Sequence, residues 1–427
     1  MSDRSDPARP NAQVTTRGRL DRRIFLKRGA ALLGAGGLSM AMGPAARAAD
    51  APSPAPAPGA GMSDYGHPAR YEESVKRTLI RSQPGTTGSG ASRTPLEMLE
   101  GALTPGGLHF ERHHSGVPDI DPSVHRLLIH GLVRRPLIFT VEALLRYPMV
   151  SRIHFLECSG NSAVMYGAAP STLTCGQIHG LVSGSEWTGV PLRILLEEAG
   201  IDPRAPWILA EGADAAAMSR SVPVAKAMDD ALVALYQNGE RLRPENGYPV
   251  RLFLPGYEGN MSVKWLRRIK VAATPTMTKD ETSRYTDLQA DGKALMFTYP
   301  MGVKSVITRP SAGFRMRGPG LSEVSGLAWS GAGAISRVEV SMNGGHSWAD
   351  AALSAPALPR ALTRFRIPWV WSGEPAVLKS RARDETGAIQ PERDALITEH
   401  GANAIFHYNA IQAWSVSPDG EVKNVYA

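Results

Sequence analysis

His154-Phe155-Leu156-Glu157-Cys158-Ser159-Gly160-Asn161 is the stretch around which the rest of the chain is organised. The apolar run Ile153–Leu156 has the length and character of a buried strand. It leads into Cys158, and the three residues behind it favour turns and tolerate unusual backbone angles. A thiol at the mouth of a strand, with pliable backbone after it, can meet a ligand that approaches closely. The chain has two cysteines, Cys158 and Cys175. Two readings stay open on this ground alone. Cys158 supplies a thiolate to a metal cofactor, or it closes a disulfide with Cys175.

With 427 residues there is room for two domains with real cores. A content of 43 % hydrophobic and 20 % charged residues is that of an ordinary globular protein. The formal charge of +7 and a pI near 9.4 suggest nucleic acid until the charge is located. Residues 1–48 hold nine Lys/Arg and three Asp, a net of +6, which leaves +1 for everything after them. No basic groove is indicated, so nucleic acid is not expected as a partner.

The same N-terminal segment explains the excess. Asp21-Arg22-Arg23-Ile24-Phe25-Leu26-Lys27 matches a twin-arginine export signal, the weakly apolar Gly29–Met42 follows, and Ala46-Arg47-Ala48 is a small-x-small cleavage site. The apolar run is too short and too rich in glycine to span a bilayer, so no stable membrane insertion is expected. The expected destination is the periplasm, reached in the folded state with any complex cofactor already in place. No Cys-x-x-Cys-His occurs, so no c-type haem is expected on this chain, and no Cys-x-x-Cys pair offers zinc or iron–sulfur ligation.

Four segments follow in the expected organisation: a signal peptide at 1–48, a Pro/Gly/Ser-rich tether and N-terminal arm at 49–95, a catalytic domain at 96–297, and a β-sandwich at 298–427. Within the catalytic part, His125–His130, Pro206–Ala210 and Pro249–Leu254 read as strands. Val141–Arg146 reads as a short helix, and Val190–Ala199 as an amphipathic helix stopped by Gly200. This mixture suits an α+β domain with its site on loops at strand ends. Past residue 297 the runs Val303–Arg309, Leu321–Trp329, Arg337–Asn343, Arg364–Pro368 and Leu378–Asp384 are β-rich and separated by turn residues, which points to an immunoglobulin-like sandwich. Asn343-Gly344 is a hairpin signal.

Several further stretches carry groups able to hold an anion: Phe110-Glu111-Arg112-His113-His114, Glu211–Asp214, Asn246–Arg251 and Ser262–Leu266. Taken singly, an arginine or lysine in such a stretch is more often a solvated surface group. In this order and together with Cys158, they resemble the sulfite oxidase family of molybdenum enzymes, and within it the SoxC-type molybdenum subunit of bacterial sulfane dehydrogenases. The resemblance spans Ser92 to Tyr426 and rests on Gly107–Pro118, Glu157–Ser162, Glu186–Leu192, Pro255–Leu266 and Thr278–Tyr285. It implies a sulfite-oxidase-type molybdopterin-binding domain followed by an immunoglobulin-like dimerisation domain, with one Mo-molybdopterin per chain.

In that resemblance Cys158 is the protein ligand to molybdenum, which replaces the disulfide reading, and Cys175 is a small buried residue. The cofactor-holding positions transfer to Phe110, Glu111, Arg112, His113, His114, Asp214, Asn246, Arg251, Ser262, Val263 and Lys264. Asn246 stands where the family usually has histidine. The substrate pocket transfers to Arg112, Tyr285 and Arg366, with Trp187 as a wall; Tyr285 lies 21 residues after Lys264. Ser162-Ala163 stands where eukaryotic sulfite oxidases carry two arginines, which leans towards a protein-borne substrate. The implied chemistry is molybdenum-dependent oxidation of sulfur, either sulfane sulfur on a carrier protein or sulfite. The implied partners are a SoxD-like c-type cytochrome subunit and a SoxY-type sulfur carrier, around a homodimer core within a heterotetramer. A free-sulfite dehydrogenase would use the same residues, and a protein methionine sulfoxide reductase shares the fold but is expected to lack the sandwich. A cofactor-free periplasmic scaffold is the reading from another class.

Overall fold

Three short strands, β1 (Thr78–Arg81), β2 (Gly90–Arg93) and β3 (Glu111–His113), pair antiparallel in that order. The polar arm thus contributes two strands to the sheet that carries the Phe110–His114 motif. The computed structural model describes residues 58–59, 61–81, 87–289 and 291–427. The export-signal reading of 1–48 and most of the expected tether concern residues outside that set. Residues 68–427 form one compact unit. Among the described residues no helix is long and apolar enough to cross a membrane.

Ten strands build the next two sheets: β4 (Arg126–Gly131), β5 (Leu137–Thr140), β6 (Val150–Glu157), β7 (Val182–Pro191), β8 (Trp207–Gly212), β9 (Ser219–Pro223), β10 (Leu232–Gln237), β11 (Glu240–Arg241), β12 (Arg251–Phe253) and β13 (Leu266–Ala272). One sheet has the order β11-β10-β7-β6 with β12 also on β10; the other runs β5-β4-β13-β8-β9, parallel only between β4 and β13. The expected helix Val190–Ala199 is shorter, Leu192–Ala199, because Val190 and Pro191 extend β7 opposite Val233 and Leu232. Gly200 ends it in the left-handed region at φ 69°, where a side chain would be strained. Leu192, Leu195 and Leu196 of this helix are fully buried, each contributing roughly 1.5–3 kcal/mol of burial.

A hairpin, β14 (Asp287–Leu288) with β15 (Ala294–Leu295), precedes the sandwich. The sandwich strands are β16 (Lys304–Arg309), β17 (Gly320–Trp329), β18 (Ile335–Ser341), β19 (Ala349–Asp350), β20 (Ala352–Leu353), β21 (Thr363–Trp371), β22 (Ala376–Asp384), β23 (Ala413–Val416) and β24 (Val422–Val425). They form sheets of order β16-β17-β21-β20 and β19-β18-β22-β23-β24. Trp329, Phe365, Leu378 and Trp414 share its core, which runs on without a break to Phe155 of β6 and Cys175. The sandwich therefore sits directly under the strand that delivers Cys158. Strands β23 and β24 and the helix Arg393–His400 go beyond the runs read from the sequence.

Candidate active site

β6 delivers Cys158, and a tight turn holds it there. The Cys158 amide donates to the Leu181 carbonyl (2.9 Å), and the Asn161 amide donates to the Cys158 carbonyl (2.9 Å). The Asn161 side chain closes the turn, donating to Glu157 Oε1 (2.9 Å) and accepting from the Leu181 amide (3.1 Å). Ser162 then adopts a left-handed φ of 68°. A second loop presses on the same turn: a Cβ on Gly259 would lie 2.8 Å from the Glu157 carbonyl oxygen, so glycine is required there. Both cysteines are free, so no Cys158–Cys175 disulfide forms. Cys175 is buried against the Ile307 carbonyl (3.8 Å), in a shell that gives it no role at the site.

Cys158 opens into a cavity. Phe110, Glu111, Arg112, His113 and His114 line it from β3 and its flanks; Asp214 and Asn246 come from loops. Arg251 of β12, then Ser262, Val263 and Lys264, complete the wall expected from the sequence, and Tyr285 stands among them. Lys264 Nζ donates to the carbonyls of Arg112 and Glu245 (both 3.1 Å) and lies 2.8 Å from His113 Nδ1. Its ammonium is pushed well below its ordinary pKa by burial and by the charge of Arg251. Arg251 donates to the Asn246 (2.9 Å) and Ser262 (2.7 Å) carbonyls, and burial lowers it to about 9. Among the described residues neither Arg251, Lys264 nor Arg112 has a carboxylate within ion-pair distance. Glu111 is already engaged by Arg77 and His113.

Tyr285 follows the π-helical turn Asp280–Arg284. Its ring lies under the Arg220 guanidinium (5.0 Å) and against Phe406 (5.6 Å), and its hydroxyl is 2.8 Å from His114 Nε2. Burial lowers His114 to about 3, with the charge of Arg112 adding to the effect, so the ring is neutral near pH 7. Burial also raises the Tyr285 phenol far above its ordinary value, so it keeps its proton. A protonated phenol hydrogen-bonded to a neutral imidazole can hold a proton and pass it on.

Two expected pocket residues are elsewhere. Arg366 lies on β21 opposite Ser325 and Ala352, 38 % exposed, and pairs with Glu100 (2.7 Å) and Glu323 (2.5 Å) on the outer face of the sandwich. Arg364, two residues away and so on the same face, is buried and donates to the Leu99 (3.1 Å) and Gly101 (3.0 Å) carbonyls. Neither reaches the cavity. Trp187 is fully buried behind it, stacked on Phe253 (4.5 Å) under the Arg251 guanidinium (5.0 Å), so it supports a wall residue rather than forming the wall.

The cavity also includes residues that were not singled out: His109, Glu245, Asn260 and Trp265. His109 is buried, bonded through Nδ1 to the Phe110 carbonyl (2.9 Å), and its Nε2 has no partner. Burial lowers it to about 3. Its adjacency to Phe110 was the available signal. Asn260 Oδ1 is likewise buried without a partner.

The sandwich reaches the Cys158 turn through Lys304 of β16. Lys304 Nζ donates to Glu157 Oε1 (3.2 Å) and to Ser162 Oγ (2.8 Å), and Trp329 Nε1 donates to Glu157 Oε2 (2.6 Å). Ser162 Oγ is also 2.7 Å from His179 Nδ1. Ser162 therefore points away from the cavity, into a buried polar network.

Comparison with known proteins fits this arrangement. An oxidoreductase molybdopterin binding domain is matched over residues 114–279 and a Mo-co oxidoreductase dimerisation domain over 296–413. Chicken (Gallus gallus) sulfite oxidase is 31 % identical over 329 residues, covering 71 % of each chain. The chain belongs to the sulfite oxidase family of molybdenum enzymes. Tomato (Solanum lycopersicum) NADH nitrate reductase is 32 % identical over 348 residues, 71 % of this chain but 38 % of that protein, so this chain spans well under half of such relatives. The crystal structure of the sulfane dehydrogenase SoxCD from Paracoccus pantotrophus superposes with a TM-score of 0.84 at 45 % identity, covering 86 % of this chain and 96 % of that one.

Membership of the sulfite oxidase family implies a molybdopterin, and the cavity suits one. An anionic, phosphate-bearing pterin needs cations without counter-charges and free polar atoms along a deep slot. Arg251, Lys264, His109 Nε2 and Asn260 Oδ1 meet that need, and Cys158 stands as a thiol able to bind a soft-ligated metal.

Proposed function

We propose that this chain is a molybdenum oxidoreductase acting on sulfur, oxidising sulfane sulfur on a carrier protein, or sulfite, and passing the electrons to a c-type cytochrome. The supporting observation is the free Cys158 thiol at one end of a cation-lined cavity, in a fold 45 % identical to a sulfane dehydrogenase over 96 % of that chain. When bound, the molybdenum cofactor supplies the two-electron oxidation of sulfur, with oxygen drawn from water.

The chain's own residues prepare that chemistry. Cys158 would hold the metal as its thiolate; burial raises the thiol's pKa, and the Arg112 charge opposes that rise. Phe110, Glu111, His113, His114, Asp214, Asn246, Arg251, Ser262, Val263 and Lys264 would hold the pterin and its phosphate. Arg112 would draw an anionic substrate to the Cys158 end. Tyr285 and His114 would hold and move the proton released with water's oxygen.

The proposal extends to setting: export to the periplasm by the twin-arginine route, a homodimer through the sandwich, and a heterotetramer with a cytochrome subunit. Purified holoprotein should contain about one molybdenum per chain. Sulfur oxidation should depend on added cytochrome subunit, and thiosulfate-loaded SoxY-type carrier should be turned over faster than free sulfite. Robust cytochrome c reduction by the isolated chain would remove the cytochrome-subunit element. Protein exported by its own signal without molybdenum would sink the enzyme reading.

A further inference from the structure

Lys264 and Trp265 sit between two backbone anchors: the Leu252 amide donates to the Val263 carbonyl (2.9 Å) and the Leu266 amide to the Val250 carbonyl (2.8 Å). In an extended chain two neighbouring side chains point to opposite faces. Here both line the cavity, and Trp265 carries the break in the backbone that puts them on one side, a left-handed φ of 52°. For a large aromatic residue that conformation is strained, whereas glycine takes it freely. The fold keeps an indole where its own backbone favours glycine.

The indole is buried and tied to two of the loops that form the cavity wall. Its Nε1 donates to the Pro244 carbonyl (2.9 Å), one residue before Glu245, and the Trp265 carbonyl accepts from the Ala213 amide (2.8 Å), one residue before Asp214. The Lys264 ammonium lies over the ring, 4.3 Å from its centroid, and the His113 ring is 5.9 Å from the same indole. The lysine backbone is confined as well: a Cβ at Gly212 would stand 2.7 Å from the Lys264 carbonyl oxygen, and one at Gly247 3.2 Å from the Lys264 Cβ. The three N–H groups of Lys264 go to the Arg112 and Glu245 carbonyls and to His113 Nδ1, so an arriving anion meets the lysine's charge rather than a free N–H. Among the described residues no carboxylate forms an ion pair with that buried charge. The negative face of the indole stands where a counter-ion would otherwise be needed.

We propose that Trp265 is a positioning residue for the cofactor: its indole face keeps the Lys264 ammonium charged and in place at the cavity wall, so that the slot retains an anionic, phosphate-bearing pterin. This rests on the molybdopterin reading of the cavity. A carboxylate in the same place would neutralise the lysine and repel the cofactor's phosphate, whereas an aromatic face steadies the cation and leaves the cavity its positive charge.

The test reads molybdenum per chain in purified holoprotein and the rate of molybdenum loss during dialysis at a fixed raised temperature. A polyfluorinated tryptophan placed at position 265 keeps the shape and the N–H of the indole but removes its negative face. It should lose molybdenum about threefold to thirtyfold faster than the wild type. A merely structural indole would not respond to fluorination, so a loss rate within about twofold of wild type would overturn the proposal. Trp265→Phe and Trp265→Leu decide the matter if the fluorinated protein does not fold. Phenylalanine keeps an aromatic face and should hold molybdenum longer than leucine, and equal or reversed retention would overturn the proposal. Wild-type holoprotein without molybdenum would remove the cofactor reading and this proposal with it. Failure of the sulfur-oxidising reading would look different: the expected order of molybdenum retention, but no turnover of sulfite or loaded carrier by the wild type.

Discussion

Cys158 has cations on two sides, and the two sets are treated differently. Towards the sandwich, Lys304 meets Glu157 at 3.2 Å, and beneath Tyr285 Arg220 meets Glu258 and Glu281 at 3.0 Å each. At Arg220 the two glutamates outweigh burial and the net shift is upward, while at Lys304 burial outweighs Glu157 and the net shift is downward. Towards the cavity, Arg251 and Lys264 are bonded to carbonyls and a histidine ring, never to a carboxylate, and both are pushed down. The paired set holds the turn together. The unpaired set makes the folded chain less stable than it could be, and only an anionic occupant offsets that cost.

The largest effect should come from the atom between the two sets. Cys158→Ser should leave a folded protein whose sulfur oxidation falls by three orders of magnitude or more, about 4 kcal/mol of transition-state stabilisation. Retained turnover in steady-state assays would remove Cys158 from the centre of the account. The two sets then separate on stability. Lys304→Met leaves Glu157 charged and buried without its partner and should cost about 3–5 kcal/mol in chemical denaturation of the cofactor-free chain. Lys264→Met should leave that chain as stable as the wild type or more so, while cofactor retention, measured as bound molybdenum, drops. Equal destabilisation by both would break the comparison.

Acid should act next, through buried imidazoles. His109, His114 and His154 have folded-state values near 3, 3 and 4, chiefly from burial, against about 6.5 unfolded. Below pH 6.5 the unfolded chain takes up protons that the folded chain refuses, so stability is full above 6.5 and is lost as pH falls towards 3. At pH 5 His109 alone accounts for about 2 kcal/mol. His407 works the other way: burial disfavours its charge, but the hydrogen bond and charge of Glu258 and the charge of Asp287 raise it. Its contribution is full below 6.5 and fades as pH rises through its folded value. The three outnumber it, so the melting temperature of cofactor-free protein should drop between pH 7 and 5, and by less in His109→Gln. A flat profile would contradict the burial of these rings.

The smallest effect belongs to Arg366. Its ion pairs are exposed, so Arg366→Ala should change stability by less than about 1 kcal/mol and leave the KM for sulfite unaltered. A large KM rise would return it to the pocket.

The contrast also marks how far residue order carries. The Cys158 turn, the Phe110–His114 cluster and the run Ser262–Lys264 were legible because each is a short stretch whose chemistry travels with its own residues. Tyr285 was legible only through the family resemblance, whose spacing from Lys264 it matches. Arg366 was misplaced because a β-rich run shows neither its register nor its partners: Glu100 and Glu323, which hold it outside the cavity, come from distant parts of the chain. Trp187 was assigned to the pocket by the family resemblance, whereas stacking on Phe253 holds it one layer back.

What residue order determined by itself is the local chemistry: a thiol at a strand end, cation-bearing loops, a β-rich segment past residue 297, and an N-terminal segment that accounts for the basic pI. What tertiary structure alone decided is which charges have partners. Glu157 with Lys304 is a pair separated by 147 residues. Ion pairing depends on distances of a few ångströms and on exclusion of water, and neither exists until the chain has folded.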